Sequence, residues 1–289
     1  DPLWSRGLGD VYKRQYFNCA HLNGKLIHRR EIKLPNEYRV SDVVDHQNNV
    51  ILQNYADDEY HYSFEDARWI DDNNISVCVV KYDVTDFNRL LGVFYKKYNL
   101  QTKSLYHFVT QRAHFEKNWQ FYNKNIIYHV NPYIILDEAE QEIFHKNINW
   151  KPWIEKFGNP GLSTNVFEVH GEKFMLFHSY IYMTPLNMRY FVGLMKLNTD
   201  YTPYGYCINP FLLPNRQYTS NYILDGMWSW RSTANRKTVK YEVIFPMSVN
   251  VDDNNLHIYG GLNDCSSVKM TINKNEFLNR VRSQPFIVY

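Results

Sequence analysis

Ser63-Phe64-Glu65-Asp66-Ala67-Arg68-Trp69-Ile70-Asp71-Asp72-Asn73-Asn74-Ile75-Ser76-Val77-Cys78-Val79-Val80-Lys81-Tyr82 reads as a β-hairpin. The polar run Asp71 to Asn74 supplies the turn, and the β-branched run Ile75 to Val80 supplies the second strand. Glu65, Asp66 and Arg68 fall at the mouth of the first strand, not in the turn. Alternate strand residues face the same way, so Asp66 and Arg68 share one face. Neither ion tolerates unpaired burial, which predicts a solvated or functional rim at this point.

The same pattern occurs at Phe17 to Ile32 around Asn23-Gly24 and at Trp119 to Val130 around Asn123-Lys124-Asn125. It occurs again at Asn165 to Tyr182 around His170-Gly171-Glu172 and at Phe245 to Gly260 around Asp252 to Asn255. Successive turns lie roughly fifty residues apart, with roughly thirty more before the last, and each period has room for a four-stranded sheet. Five such units predict an all-β chain folded as a single-domain, five-bladed β-propeller. Leu90 to Tyr98 and Ser104 to Val109 supply outer strands of the second unit. Asp137 to Asn147 and Asn275 to Val281 predict short amphipathic helices between blades.

With 289 residues, 44% hydrophobic and 17% aromatic, the chain can bury a large core as one domain. A net charge of +2 gives no argument for a nucleic-acid partner. No apolar run approaches the roughly eighteen residues of a membrane span. Cys19, Cys78, Cys207 and Cys265 are too scattered for a Cys-x-x-Cys metal or redox motif, and Cys78 reads as a small core residue. Ser5 to Gln15 resembles a translated sequencing-library adapter, which sets residues 1–15 apart as non-native and assigns 16–289 to the propeller. The expected location is cytoplasmic.

In a propeller the first strands of the blades surround a central funnel. Asn18, Asp66 with Arg68, Lys117-Asn118, Ser163-Thr164-Asn165 and Pro246 open those strands here. One carboxylate among cations suits an acid that protonates a leaving group while an anion is held nearby. The same set also reads as a ring of inter-blade ion pairs closing the propeller. Between Asn215 and Lys240, Tyr218, Tyr222, Trp228 and Trp230 accompany Arg231 and Arg236. Such a loop either stacks on sugar faces or anchors itself.

Several motifs, taken in order, resemble glycoside hydrolase family 130, five-bladed propellers that act largely on β-mannosides. They are Tyr16-Phe17-Asn18 with Leu26 to Arg30, Phe64 to Arg68, Glu116 to Trp119, Phe174 to His178, and Phe245-Pro246 with Tyr259-Gly260 and Asp264. The resemblance spans Tyr16 to Ile272, and its specificity lies in order and spacing. Ala67 stands for the proline of the family's Glu-Asp-Pro-Arg signature, which removes only a backbone constraint. Asn159-Pro160-Gly161-Leu162-Ser163 stands where the family usually has Arg-Gly-Gly, a departure that bears on whether phosphate is used at all.

The resemblance implies an enzyme that cleaves or phosphorolyses a mannoside-type bond with inversion, acting on an oligosaccharide or glycoside. Asp66 is then the acid. Asn18, Arg68, Arg112, Lys117, Asn118, His178 and Asp264 surround substrate or phosphate, with His114 as a further hydrogen-bonding group. Attack by water calls for a base, from Glu65, Asp83, Glu116 or Asp264, whereas attack by phosphate does not. Inorganic phosphate is thus the one co-substrate implied, and no metal or cofactor is. A glycosyltransferase-like propeller in glycan synthesis and a non-catalytic glycan-binding propeller are the alternatives. His178, which follows an apolar run, also reads as a core histidine.

Overall fold

The computed structural model describes residues 15–22, 24–33, 39–85, 90–108, 117–184, 187–212, 243–262 and 266–289. Their strands form five antiparallel sheets in chain order, the blades of a propeller. Blade one holds β1 (Gln15–Leu22), β2 (Lys25–Lys33), β3 (Arg39–Asp45) and β4 (Val50–Leu52). Blade two holds β5 (Tyr55–Ala56), β6 (Tyr60–Trp69), β7 (Asn74–Asp83), β8 (Leu90–Asn99) and β9 (Ser104–His107). Blade three holds β10 (Gln120–Tyr122), β11 (Asn125–Val130), β12 (Tyr133–Leu136) and β13 (Glu142–Lys146). A short helix, α1 (Lys151–Phe157), leads to blade four, with β14 (Gly161–Leu162), β15 (Phe167–Val169), β16 (Glu172–Thr184), β17 (Asn187–Leu197) and β18 (Pro203–Cys207). Blade five holds β19 (Ile244–Val251), β20 (Asn255–Leu262) and β21 (Ser266–Asn273), then α2 (Lys274–Arg282). The final strand, β22 (Phe286–Val288), pairs with β18 of blade four.

The five expected hairpins are β1–β2, β6–β7, β10–β11, β15–β16 and β19–β20. Turn chemistry accounts for them. Asp71 Oδ1 accepts the Asn73 amide at 2.8 Å, and Asp252 Oδ1 accepts those of Asn254 and Asn255 at 2.9 and 2.7 Å. In the blade-three turn Asn123 and Lys124 have φ of 41° and 69°, and in the blade-four turn His170 and Gly171 have 49° and 80°. Two successive left-handed residues are what a tight hairpin between twisted strands requires.

Inner strands are apolar on both faces because each blade stacks against two neighbours. Ile75 to Val80 are buried without interruption, as are Tyr133 to Leu136. The core lies between blades. Phe64, Val77, Ile27 and Phe245 join blades one, two and five. Tyr95, Trp119 and Ile126 join two and three, while Trp150, Trp153, Phe177 and Tyr206 join three and four. Each such side chain contributes about 1.5–3 kcal/mol on burial, which explains the aromatic-rich composition.

Two sequence expectations need correction. Residues 137–147 are not a helix: Asp137 to Gln141 form a turn in which Gln141 N donates to Asp137 Oδ1 at 2.8 Å, and the rest is edge strand β13. Pairing with β12 overrides the weak helical pattern, and Ile143 is left 54% exposed. Asp66 and Arg68 are not at the mouth of their strand either, because β6 begins at Tyr60. The helix expected over 275–281 is present as α2, with the Asn273 side chain accepting from Asn275 N and Glu276 N.

Candidate active site

The innermost strands share an irregularity, and it falls on the residue groups read from the sequence. In blade one Phe17 faces Arg29 but Cys19 faces His28, leaving Asn18 as the extra residue of a bulge. In blade two Glu65 faces Cys78 and Arg68 faces Ser76, with Asp66 between them at φ 49°. In blade three Asn118 has φ 72° just before β10. In blade four residues 163–166 interrupt the edge strand between β14 and β15, and in blade five Met247 is extra between Pro246 and Ser248. Bulges re-aim side chains and release backbone groups from the ladder.

Arg68 collects those groups. Its guanidinium is buried, at 3% exposure, and donates from Nη1 to the Met247 carbonyl at 2.8 Å and to the Ser163 carbonyl. Nη2 donates to Asn118 Oδ1 at 3.2 Å, and the Phe245 ring lies 5.8 Å from the guanidinium carbon. Blades two, three, four and five therefore meet on one side chain. Ser163 Oγ donates to the Pro246 carbonyl at 2.6 Å, and Gln120 Nε2 donates to the Asn118 carbonyl at 2.8 Å. Burial lowers the Arg68 pKa, with Tyr95 and Asp66 acting in the opposite direction.

Asp66 is also buried, at 6% exposure, and the bulge turns it toward blade three. There Lys117 Nζ lies 3.4 Å from Asp66 Oδ2, with 47% of the Lys117 side chain open to solvent. The Asp66 charge raises the Lys117 pKa, outweighing the opposing effect of burial. Bulge and ion pair together place a carboxylate and an ammonium beside the axial arginine.

His178, on β16, completes the group. Its ring stacks with Tyr190 at 5.9 Å between centroids and meets Phe245 edge-on at 4.8 Å. A Cβ on Gly161 would come within 2.8 Å of His178 Cε1, so only glycine lets β14 lie over the ring. Burial, then Lys117 and Arg68, push its pKa down to about 3, leaving it neutral near pH 7. His178 Nδ1 is buried without a hydrogen-bond partner among the described residues.

Asp66, Arg68, Lys117, Asn118 and His178 are thus brought together, although Arg68 spends its Nη donors on protein carbonyls and on Asn118. For Asn18 the strand position is described, but not the side chain. Arg112, His114, Glu116, Asp264 and the aromatic stretch 215–240 lie outside the described residues, as does most of the adapter-like segment. Glu65 pairs with Arg29 at 3.0 Å, whereas Asp83 accepts from Thr85 N at 2.9 Å at the far end of the hairpin. Sequence reading missed Tyr190 and the carbonyls of Ser163 and Met247. A backbone carbonyl leaves no trace in sequence, and Tyr190 comes close only through its pairing with Tyr180. Among the described residues no group of three or more His, Cys, Asp or Glu side chains is placed to hold a metal ion. No helix of the described residues is long and apolar enough to cross a membrane.

No family model matches the chain, and no curated protein matches it in sequence. Solved structures do match. A β-1,2-mannobiose phosphorylase from Listeria innocua, in complex with β-1,2-mannobiose, superposes with a TM-score of 0.58 at 13% identity, over 97% of this chain and 96% of its own. A GDP-mannose-dependent mannosyltransferase from Leishmania mexicana gives 0.53 at 14% identity, over 90% and 85%. A glycosyl hydrolase from Bacteroides ovatus gives 0.51 at 10% identity, over 90% and 84%. With five sheets in chain order and these three likenesses, the chain is a five-bladed β-propeller of the fold these proteins share.

Proposed function

We propose that this chain is a carbohydrate-active enzyme that cleaves a mannoside-type glycosidic bond with inversion, with Asp66 as the acid. The observation that carries the reading is the left-handed bulge that turns a buried carboxylate onto Lys117 where the blades meet. Substrate class comes from the sequence resemblance and from the activities named for the structural neighbours, a mannobiose phosphorylase and a mannosyltransferase.

An inverting reaction needs a proton for the departing oxygen and an attacker on the opposite sugar face. Asp66 supplies the proton when its carboxyl is neutral, and the Lys117 ammonium, which favours the charged form, limits the pH range in which that form is available. Water as attacker needs a second carboxylate as base, and of the candidates among the described residues Glu65 is held by Arg29 and Asp83 lies at the far end of its hairpin. Phosphate needs no base and is drawn to a cation, and Lys117 is the half-exposed cation beside the acid. Among the described residues the arrangement favours phosphate. A second reading, glycan binding without turnover, has an observation of its own, because Asp66 is held in an ion pair with Lys117 across the blade boundary.

Asp66→Asn separates the two. It keeps shape and most hydrogen bonding but removes the transferable proton, so turnover on mannosides should fall about 10²- to 10⁴-fold, with only a modest loss of stability from the ion pair because Lys117 is half-exposed. Wild type and variant are assayed with and without phosphate, beside a denaturation curve. A variant that melts early yet turns over normally would end the catalytic assignment. A sugar phosphate formed only when phosphate is present identifies the attacker.

A further inference from the structure

The central hairpin of blade four outruns its neighbours. β16 and β17 span 13 and 11 residues. On one flank β14 reaches only to His178, and on the other β18 pairs only with Met195 to Leu197, with a single bridge at Val192. From Ser179 outward the described strands are a two-stranded ribbon. One face of the ribbon leans on α1, where Trp153 Nε1 donates to Ser179 Oγ at 3.0 Å.

The other face is aromatic. Successive residues of that face, His178, Tyr180 and Tyr182, alternate along β16, and Tyr190 stands opposite Tyr180. Their rings are continuous. Tyr182 meets Tyr180 at 5.7 Å, Tyr180 stacks with Tyr190 at 5.4 Å, and Tyr190 stacks with His178 at 5.9 Å. At the inner end the Tyr190 phenol is close enough to Lys117 to raise its pKa, and His178 touches the Phe245 ring that lies beside Arg68. At the outer end Tyr180 and Tyr182 are 39% and 56% exposed. Packing among the described residues does not account for two rings so exposed at the end of such a run, whereas a pyranose offers an apolar C–H face to them.

We infer that this face is an extended glycan subsite, along which an oligosaccharide running outward from the bond beside Asp66 stacks on Tyr180 and Tyr182. The inference rests on the proposed function and narrows its substrate to chains longer than a disaccharide.

Mannooligosaccharides of two to six sugars, titrated calorimetrically into Asp66→Asn so that nothing is turned over, test it. Affinity should rise with chain length. In the same protein carrying Tyr180→Ala and Tyr182→Ala that rise should vanish, leaving the longest chain bound about tenfold more weakly, at unchanged melting temperature. Tyr182→Ala alone serves if the double variant folds poorly. Affinity independent of length, length dependence that survives loss of the tyrosines, or no binding at all would overturn the subsite. Wild-type turnover of the longest mannooligosaccharide, with and without phosphate, is followed in parallel. Turnover without length-dependent binding sinks the subsite alone, and length-dependent binding without turnover sinks the catalytic reading alone.

Discussion

Lys117 Nζ sits 3.4 Å from Asp66 Oδ2 across the boundary between blades two and three. The carboxylate raises the ammonium's pKa, and the attraction is mutual. A general acid works only while protonated, so its activity is lost as pH rises through its pKa. Without the cation the proton is held to higher pH. In Lys117→Gln the alkaline limb of the pH–rate profile should therefore move upward. Profiles of kcat/KM for the two proteins check this, and a limb that stays in place removes Lys117 from any part in tuning the acid.

Arg68 fastens four blades with one buried side chain. Arg68→Leu leaves the carbonyls of Ser163 and Met247 and the Asn118 amide oxygen without their donor. The expected cost is about 1–3 kcal/mol of unfolding free energy for each acceptor left buried without a donor, read from urea denaturation. If Arg68 served chiefly to bind an anion, the variant would instead unfold near the wild-type midpoint and lose affinity for phosphate.

His178 gives stability a pH dependence of definite sign. Unfolded, it takes up a proton near pH 6.5, whereas in the folded chain it stays neutral down to about 3. Between those values the unfolded state binds more protons, so its contribution to stability is full above pH 6.5 and shrinks as pH falls. His178→Gln should remove that part of the slope. Stability of both proteins measured from pH 7 to pH 4 tests the point, and a difference that stays constant over the range would refute it.

Gly193 faces Phe177 across β16 and β17, and an added Cβ would overlap the Phe177 ring. Gly193→Ala should cost about 1–3 kcal/mol through overpacking. Thermal melting measures it. Asn118, at φ 72°, makes a complementary case, because Asn118→Gly keeps the left-handed backbone while dropping the bond to Arg68 Nη2.

Strand pairing and blade number were legible because turn chemistry is local: Asp71, Asn123 with Lys124, Gly171 and Asp252 each act on neighbours a few residues away. The groups around the axis were legible as positions, since Asn18, Asp66, Asn118, Ser163 and Pro246 recur at one place in each repeat. What they do there was not. A left-handed Asp66 and the carbonyls that receive Arg68 arise from bulges, and a bulge is settled by pairing with another strand. α1 went unread although it has Pro152 in its first turn and Gly158 at φ 81° just past its end, both helix punctuation. The placement of β22 on blade four joins Tyr206 to Ile287, a partnership too distant in sequence to leave a pattern.

That last strand makes the ring lopsided. On its blade-four side, blade five is held by α2, whose Phe277 packs on Phe167, Phe174 and Phe211, and by the backbone ladder of β18 and β22. On its blade-one side the two sheets share no strand among the described residues. They meet through the buried core that holds Ile27, Val43, Phe245 and Met247, and through His21 N on Ser248 Oγ at 2.8 Å, the His21–Tyr259 stack at 4.8 Å and His28 with Ser267 at 3.3 Å. Arg68 does not reach blade one either. The circle is thus closed by two kinds of seam around blade five, a shared backbone ladder on one side and packed side chains on the other. A ladder opens only by breaking backbone hydrogen bonds whereas packed side chains can part without that, so native-state hydrogen exchange should be slower for the paired amides of β18 and β22 than for the facing amides of β1 and β19.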